Sequence, residues 1–146
     1  GALGLGVARS QREVFPFTGR NRRPPADRLN AILSFLYALL AAECTAAVAA
    51  EGLDPEAGIL HTANTDKPGL ALDLMEEFRP VRADRLALRL VNRSQFDAEK
   101  DFETSEDSGG VFLTETGRRK AVEAWRDASE QSDASAEGCS GSSVYE

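Results

Sequence analysis

The sequence is poor in the residues that build cross-linked or secreted scaffolds. Its 146 residues hold two cysteines, one histidine, one methionine and one tryptophan. Cys44 lies in an apolar run and Cys139 in a Ser/Gly-rich end, contexts too unlike for a disulfide framework, so a reducing compartment and a cytoplasmic location are expected. No initiator Met is present, and no charged-then-apolar start with a small-residue cleavage site suggests secretion. The first residues read as a trimmed end. No internal repeat is visible. Positive charge is also scarce: the net charge of -7 argues against a nucleic-acid partner when spread evenly. It is not spread evenly. Residues 1–28 carry six arginines against Glu13 and Asp27, net +4, whereas residues 97–146 carry five basic and thirteen acidic side chains, net -8. A basic end facing phosphates and an acidic end facing solvent are compatible with those counts.

What remains, at 42% hydrophobic content, is enough for one domain with a core. Residues 1–23 show no sustained period and read as a basic arm or remnant, closed by the helix-forbidding pair Pro24-Pro25. From Asp27, an N-cap candidate, the chain runs without Gly or Pro to Gly52, which predicts one long helix buried on nearly all sides. Its apolar stretch, residues 31–50, raises a membrane span as a rival. Glu43 near the middle and the many alanines weigh against it, since an acid there costs about 2.5–3.5 kcal/mol.

A turn, "GLDPEAG", and a polar loop then lead to Pro68 and the segment "PGLALDLMEEF", a second helix. At helical spacing Leu70, Ala71, Leu74, Met75 and Phe78 gather on one side. Asp73, Glu76 and Glu77 share an arc of about 100° on the other. Pro80 is expected to break or kink this helix. Beyond it, Arg82, Arg85, Arg89 and Arg93 recur every three or four residues along one face. "DAEKDFETSEDSGG" reads as an acidic loop, "VFL" as a short strand, and "TETGRRKAVEAWRDAS" as a last amphipathic helix anchored by Val122 and Trp125. Residues 24–128 form the expected helical domain, and residues 129–146 a disordered acidic, Ser-rich tail. The fold class is therefore all-α with one very short β element.

His61 precedes Asp73 and Glu76 by twelve and fifteen residues. Imidazole nitrogen and carboxylate oxygens suit Mn²⁺, Zn²⁺ or partly hydrated Mg²⁺, and acids at i, i+3 can converge on one ion. Acids near a helix N-terminus are equally favoured by the helix dipole alone. Spacing leaves both readings open.

Five blocks in order, "FTGRNRRPPADRLNAILSFLYALL", "GLDPEAGILH", "PGLALDLMEEFRP", "DRLALRLVNR" and "GGVFLTETGRRKAVEAW", resemble the helical C-terminal domain of the CRISPR-associated spacer-integrating endonuclease, the first-numbered Cas protein. The resemblance covers roughly residues 17–126. It implies a divalent-metal DNA endonuclease and integrase of spacer acquisition, using Mg²⁺ or Mn²⁺. It also implies double-stranded DNA as partner, both spacer precursor and CRISPR repeat, together with the second small Cas protein of the adaptation complex, a homodimer in the full-length family, and no membrane. It carries the metal-binding histidine onto His61 and the metal-binding acid onto Glu76, with Asp73 binding or orienting the ion. Arg20, Arg22 and Arg23 fall in a matched block beside a loop that phosphates can approach. Arg79 is compatible with phosphate contact or with a bridge to Glu76 or Glu77.

One departure is plain. Family members carry a further metal-binding glutamate upstream, in a block of Glu-Gly and small residues, after a β-rich N-terminal domain, and "GALGLGVARSQREVF" reproduces neither. The expectation is a fragment or truncated product with an incomplete metal site; a non-catalytic DNA- or partner-binding fragment is the alternative.

Overall fold

The computed structural model describes residues 6–21, 23–54 and 69–139. Its axis is the long apolar segment, helix α1, Arg28–Ala50. Asp27 caps it, its carboxylate accepting the Asn30 backbone N–H at 2.7 Å, which satisfies one of the donors a helix start leaves open. At the other end Gly52, at φ 72°, turns the chain left-handed. There the N–H groups of Gly52 and Leu53 close onto the carbonyls of Ala49 and Val48, a stop that a side chain with a Cβ would strain.

Among the described residues, three further α-helices, a wide helical turn and a two-stranded sheet complete the fold around α1. Helix α2, Gly69–Phe78, passes through a widened helical turn, Arg79–Asp84, into helix α3, Arg85–Asn92. Pro80 therefore does not end the helical run; it interrupts the α-helical pattern with this wider turn. It offers no N–H to the carbonyl four residues back, and the wide turn continues the helix with that donor missing. Strand β1, Phe102–Thr104, pairs antiparallel with strand β2, Val111–Leu113, in the register Phe102↔Leu113, Glu103↔Phe112 and Thr104↔Val111. The expected "VFL" strand is thus present, and its partner comes from the segment read as an acidic loop. Gly110 lets the hairpin lie against the start of α1, because a Cβ there would sit 2.4 Å from Cβ of Pro24. Helix α4, Glu115–Cys139, closes the fold. It continues past Ser129, where the sequence suggested a disordered tail, with exposed side chains from Glu130 to Ser135. The all-α class with a minimal sheet holds.

The core runs along one stripe of α1. Leu29, Ile32, Leu33 and Leu36 are fully buried, continued by Leu40, Cys44 and Val48. Against them pack Phe15, Ala83, Leu86, Ala87, Val91, Ala121 and Trp125. Each fully buried Leu or Ile contributes about 1.5–3 kcal/mol. The expectation of burial on nearly all sides needs correction. Only 44% of the most apolar window of α1 is covered, and Ala38, Ala42, Ala46 and Ala49 lie exposed. Alanine leaves little apolar area to hide, so a one-sided stripe suffices. By length and composition α1 is able to cross a membrane, yet here its buried stripe is covered by the chain's own elements, and Glu43 has partners of its own.

Candidate functional site

A polar line crosses α1 at Asn30, Ser34 and Tyr37, positions that fall on one helix face. The N-terminal arm is folded onto it. Asn30 is completely buried, and all four of its amide hydrogen-bonding positions are used. Its Oδ1 accepts from the Asn21 N–H and from Nη1 of Arg20, both at 2.9 Å. Its Nδ2 donates to the Gly19 carbonyl at 2.9 Å and to Oδ2 of Asp27 at 2.8 Å. A buried amide this fully satisfied fixes the path of the loop around Gly19–Asn21. Arg20 also donates through Nη2 to Ser34 at 3.2 Å and lies 4.9 Å above the Tyr37 ring.

Arg79 also lies over Tyr37, its guanidinium carbon 4.5 Å from the ring centroid. The Tyr37 hydroxyl donates to Asp84. Five residues separate Arg79 from Asp84, and in an α-helix they would point about 140° apart. The wide turn, bonded five residues apart, brings both round to one ring. Burial first, and then the Asp84 carboxylate, push the Tyr37 hydroxyl above its ordinary value. Burial works against the Arg79 charge, but Tyr37 and Glu76 outweigh it and hold the guanidinium above its ordinary value.

Arg79 leads to the candidate acid. Its Nη1 lies 2.7 Å from both carboxylate oxygens of Glu76. Asp73, half-buried, is three residues earlier on α2, so the two acids share a helix face. His61 lies outside the described residues. Among the described residues no set of three His, Cys, Asp or Glu is placed to hold a metal ion. What the structure does present is two hard oxygen donors one turn apart, a set suited to a divalent cation that completes its shell from elsewhere.

The three candidate DNA-binding arginines do not act as one group. Arg20 is turned inward into the Asn30–Tyr37 network. Arg22 lies outside the described residues. Arg23 is exposed and borders an open cleft with Phe35, Phe112 and Arg118. Of the arginines beyond Pro80, Arg82 is internal: it pairs with Glu43 at 2.9 Å, lies 4.8 Å over the Trp125 ring and donates to Ser129. Trp125 Nε1 donates to the other oxygen of Glu43. Arg85 and Arg89, together with Arg82, line a cleft of about 510 Å³ with the exposed Phe78 and Val81. Sequence reasoning missed Arg79 and Tyr37 as a coupled pair, because the contact joins positions on separate helices that no local period connects.

Comparison with known proteins bears on all of this. The sequence model of the family described as CRISPR associated protein Cas1 matches residues 6–127. The CRISPR-associated endonuclease Cas1 1 of Moorella thermoacetica is 50% identical over 120 residues, which is 82% of this chain and 34% of that protein. The CRISPR-associated endonuclease Cas1 2 of Rhodospirillum rubrum is 50% identical over 125 residues, 86% of this chain and 36% of its own length. Among solved structures, a Cas1 protein from Thermotoga maritima superposes with a TM-score of 0.75 at 32% identity, covering 86% of this chain and 38% of that one. A casposase bound to its integration product gives 0.74 at 30% identity, covering 86% and 36%. The chain thus spans about a third of the length of these relatives.

Proposed function

The chain belongs to the CRISPR-associated Cas1 family, and on that premise we propose that it is the helical part of an endonuclease and integrase that joins DNA ends into a CRISPR array. The observation that carries this reading is the acid pair of α2, with Glu76 presented beside a guanidinium that the Tyr37–Asp84 contact holds in place. Asp73, Glu76 and, from the preceding segment, His61 would hold a divalent cation, Mg²⁺ or Mn²⁺. Such an ion, when bound, stabilises charge on the attacked phosphate and on the entering and leaving oxygens of an in-line displacement. The chain's own residues would hold and orient it: Glu76 and Asp73 would supply negative charge from one helix face, and His61 a nitrogen donor. The family's upstream glutamate has no counterpart in these 146 residues. Loss of one carboxylate weakens the hold on a hard cation. The isolated chain is therefore at most feebly active.

Double-stranded DNA, a second small Cas protein and a second Cas1 copy are the proposed partners, a reading supported by similar structures that include a Cas6-RT-Cas1–Cas2 complex and a casposase bound to its integration product. DNA affinity should be electrostatic and sequence-tolerant, with Arg22 and Arg23 rather than Arg20 as the arm's phosphate contacts, since Arg20 is committed internally. A non-catalytic binding fragment is the second reading, favoured by the cleft in which Arg85 and Arg89 stand beside Phe78 and Val81.

Cleavage of branched DNA and strand transfer separate the two. Supplying the upstream family domain, covalently or in trans, should produce metal-dependent strand transfer that His61→Ala and Glu76→Gln each abolish. Robust turnover by the chain alone, untouched by both substitutions, would place the chemistry on other residues.

A further inference from the structure

We infer that Arg79 is a built-in competitor for the cation, occupying the seat on the Glu76 carboxylate that a divalent ion must take. The inference rests on the reading of Glu76 as a metal ligand and adds to it a fixed charge from which the ion has to draw the carboxylate away.

The geometry is specific. A donor that merely orients a ligating carboxylate takes one oxygen and leaves the other to the ion. Here a single nitrogen, Nη1, stands 2.7 Å from each oxygen. It is equidistant from the two, so both oxygens are engaged at once by the donor with which a chelated cation would compete. An ion approaching Glu76 from that side meets a positive charge already in place.

The second observation is which partner is fixed. The Arg79 side chain is 18% exposed and the Glu76 side chain 55%. Arg79 lies on the Tyr37 ring, itself tied through its hydroxyl to Asp84 and also contacted by the Arg20 guanidinium. The wide turn that carries both Arg79 and Asp84 sets this arrangement in the backbone. The guanidinium therefore stays, and Glu76 swings from it to the ion. Opposing charge close to an empty carboxylate has two effects: it holds the acid folded back while no ion is present, and it weakens the grip on a lone ion until further ligands join.

The test is Mn²⁺ binding by the full 146-residue chain, read from the electron paramagnetic resonance signal of free Mn²⁺ at fixed pH and ionic strength. Arg79→Gln keeps a donor without the charge, and Arg79→Met keeps the stem on Tyr37 without either; far-UV circular dichroism verifies that each is folded. Removing the charge should tighten Mn²⁺ binding roughly three- to fivefold, the scale expected for a partly exposed ion pair. Glu76→Gln should weaken binding, and to the same level whether or not Arg79 is present. If Glu76→Gln weakens binding while folded Arg79→Gln and Arg79→Met bind no more tightly than wild type, Arg79 is not a competitor and only this inference falls. If Glu76→Gln changes nothing, Glu76 is not a ligand, and the metal reading falls with it.

Discussion

Replacing Asn30 with alanine should be among the most damaging single changes on the polar side of α1, and the structure allows its size to be worked out. Four hydrogen bonds are lost. Those to the Gly19 carbonyl and the Asn21 N–H are neutral, worth about 1 kcal/mol each, and those to Arg20 and Asp27 involve charged groups and approach about 2 kcal/mol each. Asn21 is exposed and Arg20, Gly19 and Asp27 are partly so; water recovers roughly half of the total, leaving about 3 kcal/mol. That corresponds to a fall in Tm on the order of 10 °C for a domain of this size. Asp27→Ala, which removes the helix cap and one of the four bonds, should cost only about 1 kcal/mol. The two changes share the Asp27–Asn30 bond, so their costs should sum to more than that of the double substitution. The assays are thermal and urea unfolding followed by circular dichroism. A native-state trypsin digest adds a local readout, since freeing the loop exposes the bond after Arg20. If Asn30→Ala costs no more than Asp27→Ala and the loop stays protected, Asn30 is a packed bystander rather than the tie that holds the arm.

Two further outcomes follow from other clusters. Backbone N–H groups of Lys100 and Glu99 hold the Asp97 carboxyl below its ordinary value, so its contribution is present above the unfolded pKa and is lost as pH falls through the folded one; the Tm gap between wild type and Asp97→Ala should close on acidification, and a gap that widens would contradict the turn's role. Glu43→Ala strips Trp125 of its acceptor and Arg82 of its ion partner, so the single tryptophan should emit further to the red with about 1 kcal/mol lost; an unchanged spectrum would mean that the indole does not depend on Glu43.

The parts of the fold that sequence made legible are those fixed by local chemistry. Asp27 and Gly52 bracket α1 because an N-cap acceptor and a left-handed stop are properties of single residues. The "VFL" strand announces itself by side-chain type. Its partner does not: Phe102–Thr104 is a strand because Val111–Leu113 lies beside it, and an acid-rich segment carries no local sign of that. The same division runs through the candidate site. Asp73 and Glu76 share a face by periodicity, but what their helix meets was hidden. Pro80 looks like a terminator, and an ordinary helix through it would have pointed Arg79 and Asp84 apart. The wide turn reverses that consequence, bringing a cation and an acceptor to Tyr37, which Arg20 also contacts. A residue that reads as helix punctuation thus accompanies the turn that brings Arg79 and Asp84 to one ring. Any substitution at Pro80 that restores regular α-helical bonding should turn Asp84 away from the Tyr37 ring that Arg79 covers, while Glu76 and Arg79, three residues apart, stay within reach of each other; the meeting of Arg79 and Asp84 at one ring is thus a property of the backbone rather than an accident of the surface.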